Sequence, residues 1–135
     1  MAGIDRFTQR ARRVLSLAHQ EADQSNADMI GTEHILIGLL LVEGSTAGKV
    51  LKDLDLTADR VREILSRMDG FSTEKKEKKS EEVLSPEVQD ILKRAVIEGT
   101  KMGQVYISTE HLLLSLIDTP ESKAVTILKK LGISP

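Results

Sequence analysis

Two stretches of the chain carry the same polar groups in the same order. Ile30-Gly31-Thr32-Glu33-His34-Ile35-Leu36 and Ile107-Ser108-Thr109-Glu110-His111-Leu112-Leu113 each place a hydroxyl, a carboxylate and an imidazole on consecutive residues. Further hydroxyls stand at Thr8, after Phe7, and at Ser85, after Leu84. Three chemistries come into question. A metal site would need a second ligand at helical spacing from His34 or His111, but no His-Glu-x-x-His occurs and the one other histidine is His19. Packed histidines making a local hydrogen bond are the better reading. Catalysis by a Ser-His-carboxylate set has no strand–nucleophile–helix elbow to support it. Helix capping fits best on residue type alone. Thr8, Thr32, Ser85 and Thr109 are good cap residues, and Glu33 and Glu110 fall in first turns, where negative charge meets the positive end of the helix dipole. A capped helix still has free first-turn amides, so the same groups remain able to hold a ligand.

An internal repeat positions these groups. His34 and His111 are 111 − 34 = 77 residues apart, and the same offset aligns residues 7–56 with 84–133 without a gap. Ala18 meets Ala95, Glu21 meets Glu98, Leu39 meets Leu116, Ser45 meets Ser122, Ala47 meets Ala124, and Leu51-Lys52 meets Leu128-Lys129. A shared Thr-Glu-His in register with these identities marks a duplicated unit. Each copy reads as helices. Ala11, Val14, Leu15, Ala18 and Ala22 make one apolar stripe on a helix over roughly residues 9–24 capped by Thr8. Val88, Ile91, Leu92 and Ala95 make its counterpart, started by Ser85 and Pro86. Thr32 and Thr109 are expected to cap short, strongly apolar second helices. Third helices are expected over 47–54 and 124–131, the latter opened by Pro120 and closed by Gly132. A fourth is expected over 58–68, and its counterpart after Gly132 is missing from the sequence. The expected fold class is therefore all-α: a first repeat at 7–68, a solvated charged linker at 69–82 and a second repeat at 84–134, sharing one core.

Composition narrows the function classes. Nineteen Lys and Arg against 21 Asp and Glu give a formal charge of −2, without the basic surplus that holds a phosphate backbone. Phe7, Phe71 and Tyr106 are too few to stack single-stranded bases. Nucleic acid is therefore not an expected partner. No run of 18 apolar residues occurs, and residues 1–6 lack the apolar core of a signal peptide, so no membrane partner is expected either. The absence of cysteine removes thiol chemistry and fits a cytoplasmic location.

The duplicated Phe/Leu-Thr/Ser opening, the Gly/Ser-Thr-Glu-His-Ile/Leu-Leu motif and the terminal Leu-x-x-Leu resemble the N-terminal domain of Clp-type AAA+ unfoldases, most closely in pattern the ClpC branch, over about residues 5–134. The resemblance implies two four-helix repeats packed with pseudo-twofold symmetry. It also implies a place ahead of ATPase rings, where adaptors and substrates are received for unfolding and proteolysis. No Gly-x-x-x-x-Gly-Lys-Ser/Thr loop occurs, so this chain is not expected to be an enzyme, and ATP and Mg are expected only in a longer parent protein. The ending after Leu131-Gly132-Ile133 reads as that of a longer protein cut short. The alternative is a free-standing regulatory or scaffolding protein of the same fold. A continuation into a phosphate-binding loop would decide against that alternative.

In relatives that the chain resembles, the matching hydroxyl and carboxylate pairs receive phosphorylated arginine. Carried over, this implies one site at Thr8 and Glu33 and another at Ser85 and Glu110. Amides at a helix start suit the phosphoryl group, and a carboxylate suits the guanidinium. Glu87 beside Ser85 adds negative charge, so the first site is expected to bind more strongly. Phe7 and Leu84 could present an apolar surface to an adaptor segment, the simpler reading being a packing contact beside each cap. The turns before the third helices, Glu43-Gly44-Ser45-Thr46 and Asp118-Thr119-Pro120-Glu121-Ser122, depart from the glycine-rich charged turn of such relatives.

Overall fold

In the computed structural model, which describes residues 7–25, 27, 29–69, 83–103, 106–119 and 122–132, the order is α1 (Gln9–Gln24), β1 (Met29–Ile30), α2 (Thr32–Leu41), α3 (Thr46–Asp53), α4 (Ala58–Asp69), β2 (Val83–Leu84), α5 (Pro86–Lys101), α6 (Thr109–Ile117) and α7 (Lys123–Lys130). The all-α class holds, with two-residue strands as its only extended elements among the described residues. Thr8 caps α1 by accepting from the Ala11 amide at 3.1 Å, and Ser85 caps α5 by accepting from Val88 at 3.2 Å. Ser45 and Ser122 cap α3 and α7 in the same way. Thr32 and Thr109, expected to be caps, are instead the first helical residues: the caps are Gly31 and Ser108. The Thr32 hydroxyl instead accepts from the Ala124 amide of α7 at 3.2 Å, tying the two copies together. Gly132, at φ 79°, ends α7 in the left-handed region, and Asp55, its counterpart at 132 − 77 = 55, does the same for α3 at φ 62°. Of the expected linker, Asp69 closes α4; 70–82 and Pro120 lie outside the described residues.

The two copies are joined by exchanged strands. β1 pairs in parallel with β2, with Ile30 opposite Leu84, and Phe7 bridges in parallel to Ile107. Leu84 is the counterpart of Phe7, and Ile107 the counterpart of Ile30, at the same offset: 84 − 7 = 77 and 107 − 30 = 77. Each copy's opening residue therefore pairs with the other copy's approach to its Thr-Glu-His helix. The Thr8 amide donates to the Ile107 carbonyl at 2.8 Å, and the Ser85 amide donates to the Ile30 carbonyl at 3.0 Å. This reciprocity is the pseudo-twofold relation in its most local form.

A single core runs through both halves. Ala11, Val14 and Ala18 of α1, Ile35, Leu36 and Leu39 of α2, Ile91 of α5, and Leu112 and Leu116 of α6 belong to one buried cluster. α2 is buried from Thr32 to Leu40, and so carries no polar stripe. Gly38 makes its tight seat on α1 possible, since a Cβ there would stand 2.6 Å from the Val14 carbonyl oxygen. No single helix among the described residues is long and apolar enough to cross a membrane.

α4 has no counterpart among the described residues of the second copy. It lies across α2 and α7, where Ile37 and Ile127 are fully buried. Their counterparts, Leu114 on α6 and Val50 on α3, are about half exposed, at 49% and 47%. A charged pair holds α4 to α1. Arg62 Nε donates to Glu21 Oε1 at 3.1 Å, Nη2 donates to the same oxygen, and Nη1 donates to Asp59. The hydrogen bond to Glu21 holds the guanidinium above its ordinary pKa, outweighing the opposing effect of partial burial. Removing the cation leaves the Glu21 carboxylate, only 10% exposed, without its partner. Arg62→Ala should therefore cost about 1–3 kcal/mol in urea unfolding, and Glu21→Gln in the same background should restore part of it. An unchanged midpoint would mean that apolar contact alone seats α4.

Candidate functional site

The strand exchange decides which polar groups meet. α1 begins at Thr8, and the Thr8 amide is bonded to Ile107, so the α1 N-terminus faces the start of α6 rather than that of α2. The two helix starts and the α2–α3 turn enclose an open cavity of about 780 Å³. Thr8, Arg10 and Arg13 line it from α1, Glu43, Gly44 and Ser45 from the turn, and Ser108 and Glu110 from the second copy. Arg10 and Arg13 are exposed and have neither an ion pair nor a hydrogen bond among the described residues. Glu110 is exposed and accepts a hydrogen bond from the Ser108 hydroxyl. The cavity thus combines two free guanidinium groups, first-turn amides of α1, a capping hydroxyl and a carboxylate. Such a set suits a ligand with both an anionic and a cationic end.

The expected pairings of Thr8 with Glu33 and of Ser85 with Glu110 are therefore corrected. Thr8 shares its cavity with Glu110, and Ser85 is bonded to Ile30, beside the start of the helix that carries Glu33. Similarity at a fixed offset is blind to whether a residue's spatial partner lies in its own copy or the other. At the quasi-equivalent place, Glu33 is 7% exposed and its Oε2 lies 3.4 Å from Lys123 Nζ. Phe7, at 4% exposure, belongs to the core, in keeping with a packing contact beside the cap and not with an adaptor surface. Leu84 is half-buried against the same core.

Two residues missed by sequence reasoning are Arg10 and Arg13. Their i, i+3 spacing one turn into a helix capped by Thr8 was a visible signal, but only the crossed pairing places them opposite Glu110. The histidines behave as expected of packed groups. His34 Nδ1 accepts from the Gly31 amide at 2.9 Å and His111 Nδ1 accepts from the Ser108 amide at 2.9 Å. Each imidazole thereby satisfies the backbone amide of its own helix cap, which fixes the approach to the helix that supplies the carboxylate.

A duplicated helical unit, closed by exchanged strands and opening a polar cavity between its copies, defines an all-α double-repeat domain. A profile of the Clp repeat (R) N-terminal domain matches residues 6–131, and the chain belongs to that family. It is 35% identical over 129 residues to the chaperone protein ClpB of Oceanobacillus iheyensis and, over the same length, to the negative regulator of genetic competence ClpC/MecB of Bacillus subtilis. Each alignment covers 96% of this chain and 16% of the relative, so the chain spans about a sixth of their length. Among solved structures it resembles the N-terminal domain of the caseinolytic protease associated chaperone ClpD from Arabidopsis thaliana, with a TM-score of 0.81 and 26% identity, covering 99% of this chain and 91% of that one. It shares its fold with a ClpV N-domain solved in complex with a VipB peptide, at a TM-score of 0.71 and 19% identity over 96% of this chain and 81% of that one.

Gly44 shapes the cavity wall. Its φ of 75° is left-handed, and a Cβ there would lie 3.1 Å from an Arg10 terminal nitrogen. Gly44→Ala should lower stability by about 1–2 kcal/mol through the backbone alone. It should also displace Arg10, seen as a chemical-shift change at the Arg10 side chain in excess of that at Arg13. Equal, small changes at both arginines would show that the glycine serves the turn and not the cavity.

Proposed function

We propose that this chain is the adaptor- and substrate-docking module of a Clp ATPase feeding regulated proteolysis, and that its cavity receives phosphorylated arginine. The observation that supports this reading is the crossed site itself: Thr8, Arg10 and Arg13 of one copy face Glu110 of the other across one open cavity. Phosphoarginine has a dianionic head and a guanidinium-derived stem. Arg10, Arg13, the first amides of α1 and the Thr8 hydroxyl suit the phosphoryl oxygens. Glu110 and Glu43 suit the nitrogen-bearing stem, and the cavity volume lies within the range of small-molecule sites. The peptide-bound ClpV domain of the same fold supports protein segments as the wider ligand class. On this reading the chain binds and does not catalyse. ATP and Mg would belong to ATPase rings in the same polypeptide, and the module would work in the cytoplasm.

The test is an NMR titration of the labelled domain with a phosphoarginine peptide and with its unmodified twin. Saturable shifts at Thr8–Arg13 and Ser108–Glu110 are expected with the modified peptide only. Hydrogen bonds to charged groups contribute about 1.5–3 kcal/mol each, so Arg10→Ala/Arg13→Ala should weaken binding by at least about 100-fold. Both side chains are exposed, so the melting temperature should not move. Equal response to the two peptides, or binding that survives the double substitution, would overturn the phosphoarginine assignment.

A further inference from the structure

The duplication offers two places for such a ligand, yet the two are built oppositely. At the offset of 77, Arg10 becomes Glu87, Arg13 becomes Asp90, Leu41 becomes Asp118 and Thr46 becomes Lys123. The first cavity carries Arg10 and Arg13 against Glu43 and Glu110, a formal 2 − 2 = 0. Among the described residues the quasi-equivalent positions carry Lys123 against Glu33, Glu87, Asp90 and Asp118, a formal 1 − 4 = −3, and Arg94, at the place of Leu17, stands beside Asp90 and Asp118. More decisive than the sum is what the cations do. Arg10 and Arg13 have no partners among the described residues, whereas both cations of the second place are engaged. Arg94 Nε lies 3.1 Å from Asp90 and Nη1 lies 3.4 Å from Asp118, while Nη2 donates to the Thr119 hydroxyl. Lys123 Nζ lies 3.4 Å from Glu33.

The carboxylates also differ, and a glycine sets the difference. Ser108 precedes Glu110 by two residues, and Glu110 is exposed. Gly31 takes the equivalent place before Glu33, and a Cβ there would fall 2.0 Å from Glu33 Oε1. The Glu33 carboxylate therefore folds over Gly31 into space that a side chain would fill, and from there it reaches Lys123. We infer that Lys123 is a built-in occupant of the second site, taking on Glu33 the position that a ligand's cationic stem would take on Glu110, so that the domain holds one anionic ligand rather than two. This inference rests on the ligand class proposed above and adds its stoichiometry and the residues that set it. The charge balance acts in the same direction: a phosphoryl group approaching Ser85 meets Glu87 where the first site offers Arg10.

Calorimetry and residue-resolved NMR with the phosphoarginine peptide test this on the native domain and on Gly31→Ser/Glu87→Arg/Lys123→Thr, which removes the built-in lysine and gives three positions of the second place the residues of the first. All three positions are exposed or half-exposed, and Gly31 sits at φ −97°, where serine is unstrained. The expected result is one peptide per native chain with shifts confined to Thr8–Arg13 and Ser108–Glu110, and two per variant chain with new shifts at Ser85–Asp90 and Gly31–Glu33. Shifts at both places in the native domain would overturn the inference while leaving the ligand class intact, and this readout needs no variant. A folded variant that still binds one peptide would also overturn it. Absence of binding by either protein would sink the ligand class and the inference with it.

Discussion

Everything in this molecule depends on two backbone hydrogen bonds that cross between copies. Thr8 donates to Ile107, and Ser85 donates to Ile30. Each bond delivers the start of a long helix, α1 or α5, to the start of a short buried one, α6 or α2, in the other copy. A copy separated from its partner would leave these strand edges unpaired and expose an α2 that is apolar on nearly every side. Short helices with wide apolar surfaces have little stability alone, so the exchange and the common core are one requirement seen at two scales. The cavity is a by-product of the same requirement, since two helix starts brought nose to nose concentrate free amides and first-turn side chains.

The Thr-Glu-His motif divides its labour accordingly. The histidine turns back to satisfy the amide of the cap residue, Gly31 or Ser108. The threonine hydroxyl can then reach beyond its own helix, as Thr32 does to the Ala124 amide of α7. Of the two glutamates, Glu110 is exposed at the cavity, whereas Glu33 is largely buried and lies beside Lys123. In the first copy the three adjacent polar residues thus serve the local turn, the contact with α7 and the ion pair with Lys123, while in the second His111 repeats the turn and Glu110 is exposed at the cavity.

Much of the fold was legible in the sequence because it is written in local signals. Periodic apolar positions mark α1 and α5, Thr8 and Ser85 mark their starts, Gly132 marks the end of α7, and the offset of 77 reveals the duplication. The site was legible only in part. Its residue types stood in the motif, but their partnership did not: Thr8 and Glu33 look like mates because they share a copy, and only the crossed strands assign Thr8 to Glu110. Arg10 and Arg13 were passed over because arginines on the outer face of a helix are ordinary until something faces them. For Phe7 the sequence left a packing contact beside the cap and an adaptor surface both open, because the core it joins includes Ile107, a hundred residues away.

The two halves have diverged where the fold permits it. Core positions keep their character at the offset, as in Val14 and Ile91 or Ile35 and Leu112, all fully buried, because a change of volume there is felt at once. The exceptions have structural causes. Ile37 and Leu114 sit at equivalent places, but α4 lies over the first copy's α2 and nothing described lies over Leu114. Gly38 and Ser115 differ because α1 approaches α2 closely enough to exclude a Cβ. Rim positions carry no such constraint: an exposed arginine and an exposed glutamate cost the fold about the same. A duplicated domain can therefore change the charges at one helix start and keep them at the other without loss of stability, and Arg10 against Glu87 and Thr46 against Lys123 is the form such a divergence takes here.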